Sequence, residues 1–254
     1  MTNPKIIYHY TNIEALVNGI ISNNEICLWA THCAYLNDPF DHYLGDEILQ
    51  NHNPINKLWN SDLYPTIKRY AASYIISFSE SIDSLPMWNM YGKNGSGVKL
   101  GFDVKKINEV CDLYQCFYQN TDNHQQLLGV IDDKINHLLA NMPDRYKNDE
   151  RDMLVYLYGH LHEGLRLIKS EFYEHEREWR VVFHMQNNKE LHFRHSSGLI
   201  VPYLKKIFPK EALKEVWIGP TSDMDRVRES LHYYLAHKSF YGVDIRKSDV
   251  PYRK

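Results

Sequence analysis

Short runs of β-branched and aromatic residues recur along this chain without the regular one-helix alternation that a doubly wound parallel sheet requires, and this constrains the fold most. The runs Lys5 to Tyr10, Ile26 to Ala30, Tyr74 to Phe78, Val98 to Phe102, Trp179 to His184, Glu190 to His195, Val216 to Ile218 and Val243 to Arg246 read as strands. Two amphipathic stretches, Asn123 to Met142 and Asp149 to Ser170, separated by Pro143, read as long helices that interrupt the strands. The pattern predicts an α+β chain with a helical insertion at about 123–170. No shift in composition divides the 254 residues, which are read as one domain over 1–254.

Shorter signals fill in the path. Thr11 and Glu14 have capping-box spacing, with a helix through Ala15, Leu16 and Ile20 to follow. Asn37-Asp38-Pro39 reads as a turn, with Asp38 as a cap and Pro39 in a first helical turn. Ile55 to Ala72 carries helical spacing with Pro65 as a kink or break, and a short helix begins near Pro86. The glycine-rich loop Gly92 to Gly97 lacks a phosphate-binding signature, and Asp223 to His237 reads as a late helix.

Charge and residue chemistry exclude several classes. A formal net charge of −3 provides no global field for nucleic acid or an anionic membrane. Lys205, Lys206, Lys210 and Lys214 read as a solvated face rather than a phosphate track. Cys27, Cys33, Cys111 and Cys116 fit no zinc or redox spacing. His160 and His162 would leave a helix on different faces, His192 and His195 have no evident third ligand, and no metal is expected. Without a charged leader or a run of bilayer length, the expectation is a cytoplasmic protein with no membrane partner.

Several segments together resemble a bacterial family catalogued as domain of unknown function 2971. They are Tyr8-His9-Tyr10-Thr11, Leu36 to Phe40, Ser77-Phe78-Ser79-Glu80 with Met87 to Tyr91, Gly97 to Phe102, Tyr173 to Arg180, and Ser248 to Arg253. A second resemblance is to ADP-ribosyltransferases, in which an early strand supplies His or Arg, a middle strand a Ser-x-Ser or Tyr, and a late strand opens with Glu. Here those are His9, then Ser77 and Ser79 with Tyr91 behind them, then Glu178, which forms a Glu-x-Glu pair with Glu176. The resemblance mixes two subclasses: the early His belongs to one, the Ser-x-Ser and Glu-x-Glu pairs to the other. It implies an ADP-ribosyltransferase-like pair of mostly antiparallel sheets with flanking helices.

The resemblance also implies roles. NAD would be the substrate, Glu178 catalytic, and His9, Tyr10, Thr11, Ser77, Ser79, Tyr91 and Arg180 cofactor-binding. Cleavage of the nicotinamide glycosidic bond develops positive charge on the ribose, which a carboxylate such as Glu178 stabilises. His9 offers a hydrogen bond to a ribose hydroxyl, Tyr91 a stacking face, and Arg180 a partner for phosphate or for Glu178. The acceptor is left open among protein, nucleic acid and water, as is the oligomeric state, and the implied setting is a toxin or antiviral effector. The rivals are a non-catalytic nucleotide- or partner-binding module of the same fold and a nucleic-acid-processing enzyme served by the lysines at 205–214. Without the resemblance, Met87 and Trp88 read as core, and Glu174 to Glu178 as a solvent-facing ion-pair run.

Overall fold

The structure, a computed structural model, describes residues 4–22, 25–38, 44–50, 62, 72–120, 122–184, 188–196 and 198–252. In chain order these give β1 (Ile6–Thr11), α1 (Ile13–Ala15, continued as a π-helix over Leu16–Ile20), β2 (Ile21–Ser22), β3 (Glu25–His32), α2 (Leu44–Gln50), β4 (Ser73–Ser79), α3 (Leu85–Met90), β5 (Val98–Asp103) and α4 (Val104–Asn108). Then follow β6 (Tyr114–Gln115), β7 (Phe117–Gln119), α5 (His124–Ala140), α6 (Glu150–Leu165), β8 (Ile168–Ser170), β9 (Glu178–His184), β10 (Leu191–Ser196), β11 (Leu199–Phe208), β12 (Leu213–Ile218), α7 (Met224–His237) and β13 (Asp244–Lys247). Most of the expected helix over 55–72, and Pro39, lie outside the described residues.

The chain is α+β with one large, mostly antiparallel sheet. Its path runs β10-β11-β3-β4-β1-β5-β12-β13, with β9 on β4 and β6 on β9. Within this sheet β12 and β13 pair in parallel, and β7 and β8 form a separate parallel pair. The expected two sheets are therefore joined through β4.

That strand is where the sheet forks. One edge of β4 pairs with β9 along its whole length, from Ser73 opposite His184 to Ser79 opposite Glu178. The other edge is shared: β3 pairs with Tyr74 and Ile75, and β1 meets it only at Ser79. Between them, at Ile76 to Phe78, that edge has no strand partner among the described residues. Because side chains alternate along a strand, Tyr74, Ile76 and Phe78 enter the apolar core with Ile7, Leu100 and Phe102. Ile75, Ser77 and Ser79 point to the opposite face. The buried Phe78 ring meets Phe102 edge-on, with centroids 5.9 Å apart, so Phe78→Ala would cost about 3–5 kcal/mol.

The helical insertion has its own core. Leu127, Ile131 and Ile135 recur every four residues on α5 and pack with Leu154, Leu157, Leu161 and Leu165 of α6. Asp149 caps α6 by accepting from the Arg151 and Asp152 amides.

Three local expectations change. Thr11 is still inside β1, opposite Val98, so the cap of α1 is Asn12, whose side chain accepts from the Ala15 amide at 2.8 Å. The second long helix stops at Leu165, and Ile168–Ser170 extends to pair with β7. β11 is a ten-residue strand that the sequence pattern did not reveal. It puts Lys205 and Lys206 on opposite faces, with the Lys206 ammonium 4.6 Å from the Phe183 ring centre. Gly97, which ends the glycine-rich loop, has no room for a side chain because a Cβ would meet the Thr11 carbonyl. That loop packs against the end of β1.

Candidate functional site

At the fork lies a cavity of about 210 Å³. Its floor is the polar face of β4, with Ser77 and Ser79, and β1 contributes Tyr8, His9 and Tyr10 from one side. Glu178 and Arg180 enter from β9, and Tyr91 from the C-terminal end of α3. Strands distant in sequence meet here because β4 pairs with β9 on one edge and meets β1 on the other.

His9 is held by that fork. Its Nδ1 lies 2.9 Å from the Ser77 carbonyl oxygen, on the stretch of β4 edge that no strand among the described residues occupies. A carbonyl only accepts, so Nδ1 carries the proton and donates. In the neutral ring Nε2 is then an acceptor. Burial, reinforced by the charge of Arg194, pushes the imidazole below its ordinary range and outweighs the hydrogen bond to Ser77.

The carboxylate end is densely paired. Glu178, only 4% exposed, receives Arg180 Nε at 2.8 Å on one oxygen and Arg180 Nη2 at 2.9 Å on the other. Lys169 Nζ lies 2.6 Å from the second oxygen and 2.6 Å from Glu176 Oε2, so one ammonium bridges both carboxylates. Tyr91 donates its hydroxyl to the other oxygen of Glu176 at 2.7 Å. Burial raises the Glu178 carboxyl, but Arg180 and Lys169 together outweigh it and hold the group ionised well below the usual carboxylate range. Arg177, between the two glutamates, adopts a left-handed backbone with φ of 44°. A non-glycine residue there stores on the order of 1–3 kcal/mol of strain, which this network overcomes.

Several expected roles are constrained by these bonds. Arg180 pairs with Glu178 and also donates to the Arg166 carbonyl at 2.6 Å, so it is the partner of the carboxylate rather than a free phosphate ligand. The Ser79 hydroxyl donates to the Glu176 carbonyl at 2.6 Å and accepts from the Ser81 amide. Tyr10 donates weakly to the Ser81 carbonyl at 3.4 Å. Burial, then the neighbouring Glu176, raises the Tyr91 hydroxyl pKa and keeps it protonated. Thr11 lies at the end of β1, outside the lining of the cavity.

With that geometry in place, one family model matches part of the chain. Residues 87–181 match the family model described as "Protein of unknown function (DUF2971)". The matched span runs from α3 into β9, and so carries Tyr91, Lys169, Glu176, Glu178 and Arg180 but not β1. Among solved structures, "Thermus sp. 2.9 DarT in complex with NAD+" is similar at 13% identity and a TM-score of 0.39, covering 97% of this chain and 96% of that one. No curated protein matches the chain.

Lys169 and Arg194 both line the cavity and escaped the sequence reading. Lys169 fell inside what reads as helix, and Arg194 inside a strand with no motif. Among the described residues no three His, Cys, Asp or Glu side chains converge as a metal set would. His162 instead donates Nδ1 to the Tyr158 carbonyl and meets His184 at 3.1 Å. No helix of the described residues is long and apolar enough to cross a membrane.

Proposed function

We propose that this chain is an NAD-consuming, ADP-ribosyltransferase-like enzyme whose cleft is the fork between β1, β4 and β9. The reading is carried by one observation: His9, Ser77 and Glu178, from strands far apart in sequence, line a single cavity. In the reaction, the bond between ribose C1′ and the nicotinamide nitrogen breaks, and its electron pair leaves on nicotinamide. An oxygen or nitrogen of the acceptor, or of water, then bonds to C1′ and releases one proton.

The ionised Glu178 stabilises the oxocarbenium character that develops before the new bond forms. Nε2 of His9 accepts from a ribose hydroxyl, Ser77 contributes a hydroxyl on the floor, and Tyr91 supplies an aromatic wall. Ser79, Arg180 and Lys169 fix the carboxylates in place. Tyr10 borders the same cleft, whereas the cofactor contact expected of Thr11 is not carried into this proposal. An enzyme that consumes NAD would burden the cell that carries it, which fits a toxin or antiviral effector acting on protein or nucleic acid.

A second reading is favoured by the double ion pair on Glu178. Two cations cancel much of its field, which suits a nucleotide-binding module of the same fold that does no chemistry. The deciding experiment is nicotinamide release from NAD by the full chain, wild type against Glu178→Gln, with and without cell lysate and nucleic acid as acceptors. Release is expected to fall by at least ~100-fold in the variant, in line with loss of a transition-state electrostatic contact. Thermal melts confirm that the variant is folded. Release unchanged by the substitution would sink the role of Glu178, and NAD binding without release in any mixture would establish the binding module.

A further inference from the structure

At the end of the cleft remote from Glu178 lies a guanidinium that has no carboxylate partner among the described residues. Arg194 leaves β10, crosses β11 and donates Nη2 to the Thr31 hydroxyl of β3 at 2.9 Å. It lies beside the stacked Trp29 and Tyr203 rings, whose centres are 5.6 Å and 5.9 Å from Cζ. Both rings and the Thr31 bond aim the side chain into the cavity that it lines together with Thr31 and Trp29. Among the described residues this is its one hydrogen bond, out of five N–H donors, and its Nε is buried without a partner. Asp38 lines the same cavity. A half-buried cation of this kind loses hydration without regaining it from the protein.

The register fixes where this cation sits relative to the carboxylates. Thr31 lies opposite Ile75, and Glu178 opposite Ser79, four residues further along β4. At a strand rise of ~3.3 Å per residue the two ends are about 13 Å apart along one face. The cleft thus has charge-balanced, paired carboxylates at one end and the Arg194 guanidinium at the other, matching a ligand whose diphosphate lies at some distance from its ribose.

We propose that Arg194, with the Thr31 hydroxyl beside it, is the anion-binding end of the cleft and takes the diphosphate of a nucleotide whose ribose lies toward Glu178. The identity of that nucleotide as NAD rests on the function proposed above. The planar fork of arginine suits two phosphate oxygens at once, and the stacked Trp29 and Tyr203 rings hold it ready.

Calorimetric titration of the full chain with ADP-ribose, ADP and adenosine tests this, using wild type, Arg194→Gln and Arg194→Lys. Arg194→Gln is expected to weaken ADP-ribose and ADP at least ten-fold and adenosine less than two-fold. Arg194→Lys keeps the charge but loses the fork, so it falls between. Wild-type affinity for ADP-ribose in Arg194→Gln would overturn the assignment, as would an equal loss for adenosine or no binding of any of the three by wild type. The two proposals separate cleanly. ADP-ribose binding that depends on Arg194, without nicotinamide release, removes the enzyme reading and keeps the anion site; release and binding indifferent to Arg194 do the reverse.

Discussion

Lys99 is the residue whose surroundings depart most from what its chemistry prefers. It is fully buried on β5, with its ammonium 4.1 Å from the Tyr8 ring centre and 3.9 Å from that of Trp217, and it has no hydrogen-bond partner among the described residues. Burial lowers its pKa to about 7, against the partial support of Asp83 and Glu215 and with a small further push from Arg246. The unfolded lysine keeps its ordinary, higher value, so the cost of the buried charge is present in full below pH 7 and is relieved as pH rises toward the unfolded pKa. Lys99→Met is therefore expected to stabilise the fold, with a gain ~2 kcal/mol larger at pH 6 than at pH 9. Urea unfolding at the two pH values reads this out; equal gains would show that the ammonium is not the source. Lys169 is the opposite case, a buried cation with two carboxylates on it. Lys169→Met leaves Glu176 without a cation, while Glu178 keeps Arg180, and should cost about 3–5 kcal/mol at pH 7. A denaturation midpoint unchanged by the substitution would mean that the bridge has no structural weight.

At the scale of elements, the dispute over one helix start can be settled by substitution. If Asn12 is the cap of α1, Asn12→Ala should lose about 1 kcal/mol. Thr11→Val should then lose less, because Thr11 sits in a strand that a β-branched residue suits. The reverse order in thermal melts would restore the capping box. This pair also shows what a sequence conceals: Thr11 and Glu14 have the spacing of a box, but pairing of Thr11 with Val98 sets the backbone, and that partner is 87 positions away. Strands with strong alternation or dense apolar content, such as β4, β5 and β9, were legible, as were α5 and α6 from their spacing. β8 was not. Its three residues continue the helical pattern of α6 and are strand only because β7 lies alongside. With β8 went Lys169, and so the bridge over the two glutamates was invisible.

The whole molecule turns on the fork at β4. Antiparallel pairing brings Glu178 opposite Ser79, and the same residue meets Tyr8, so sheet topology alone gathers the early, middle and late strands. His9, Ser77 and Glu178 were reached from the sequence only through the resemblance to ADP-ribosyltransferases, and the topology adds that they line one cavity. Arg194 could not be reached in this way, since its place beside Thr31 depends on β11 lying between β10 and β3. The same topology separates the fork from the lysines at 205–214, none of which lines the cavity. The most direct measurement of the central claim is a crystal structure of the Glu178→Gln variant with NAD. The dinucleotide is expected in the fork, with its nicotinamide ribose within hydrogen-bond reach of residue 178 and His9 and its diphosphate on Arg194. NAD bound elsewhere, or an empty fork at saturating NAD, would contradict it.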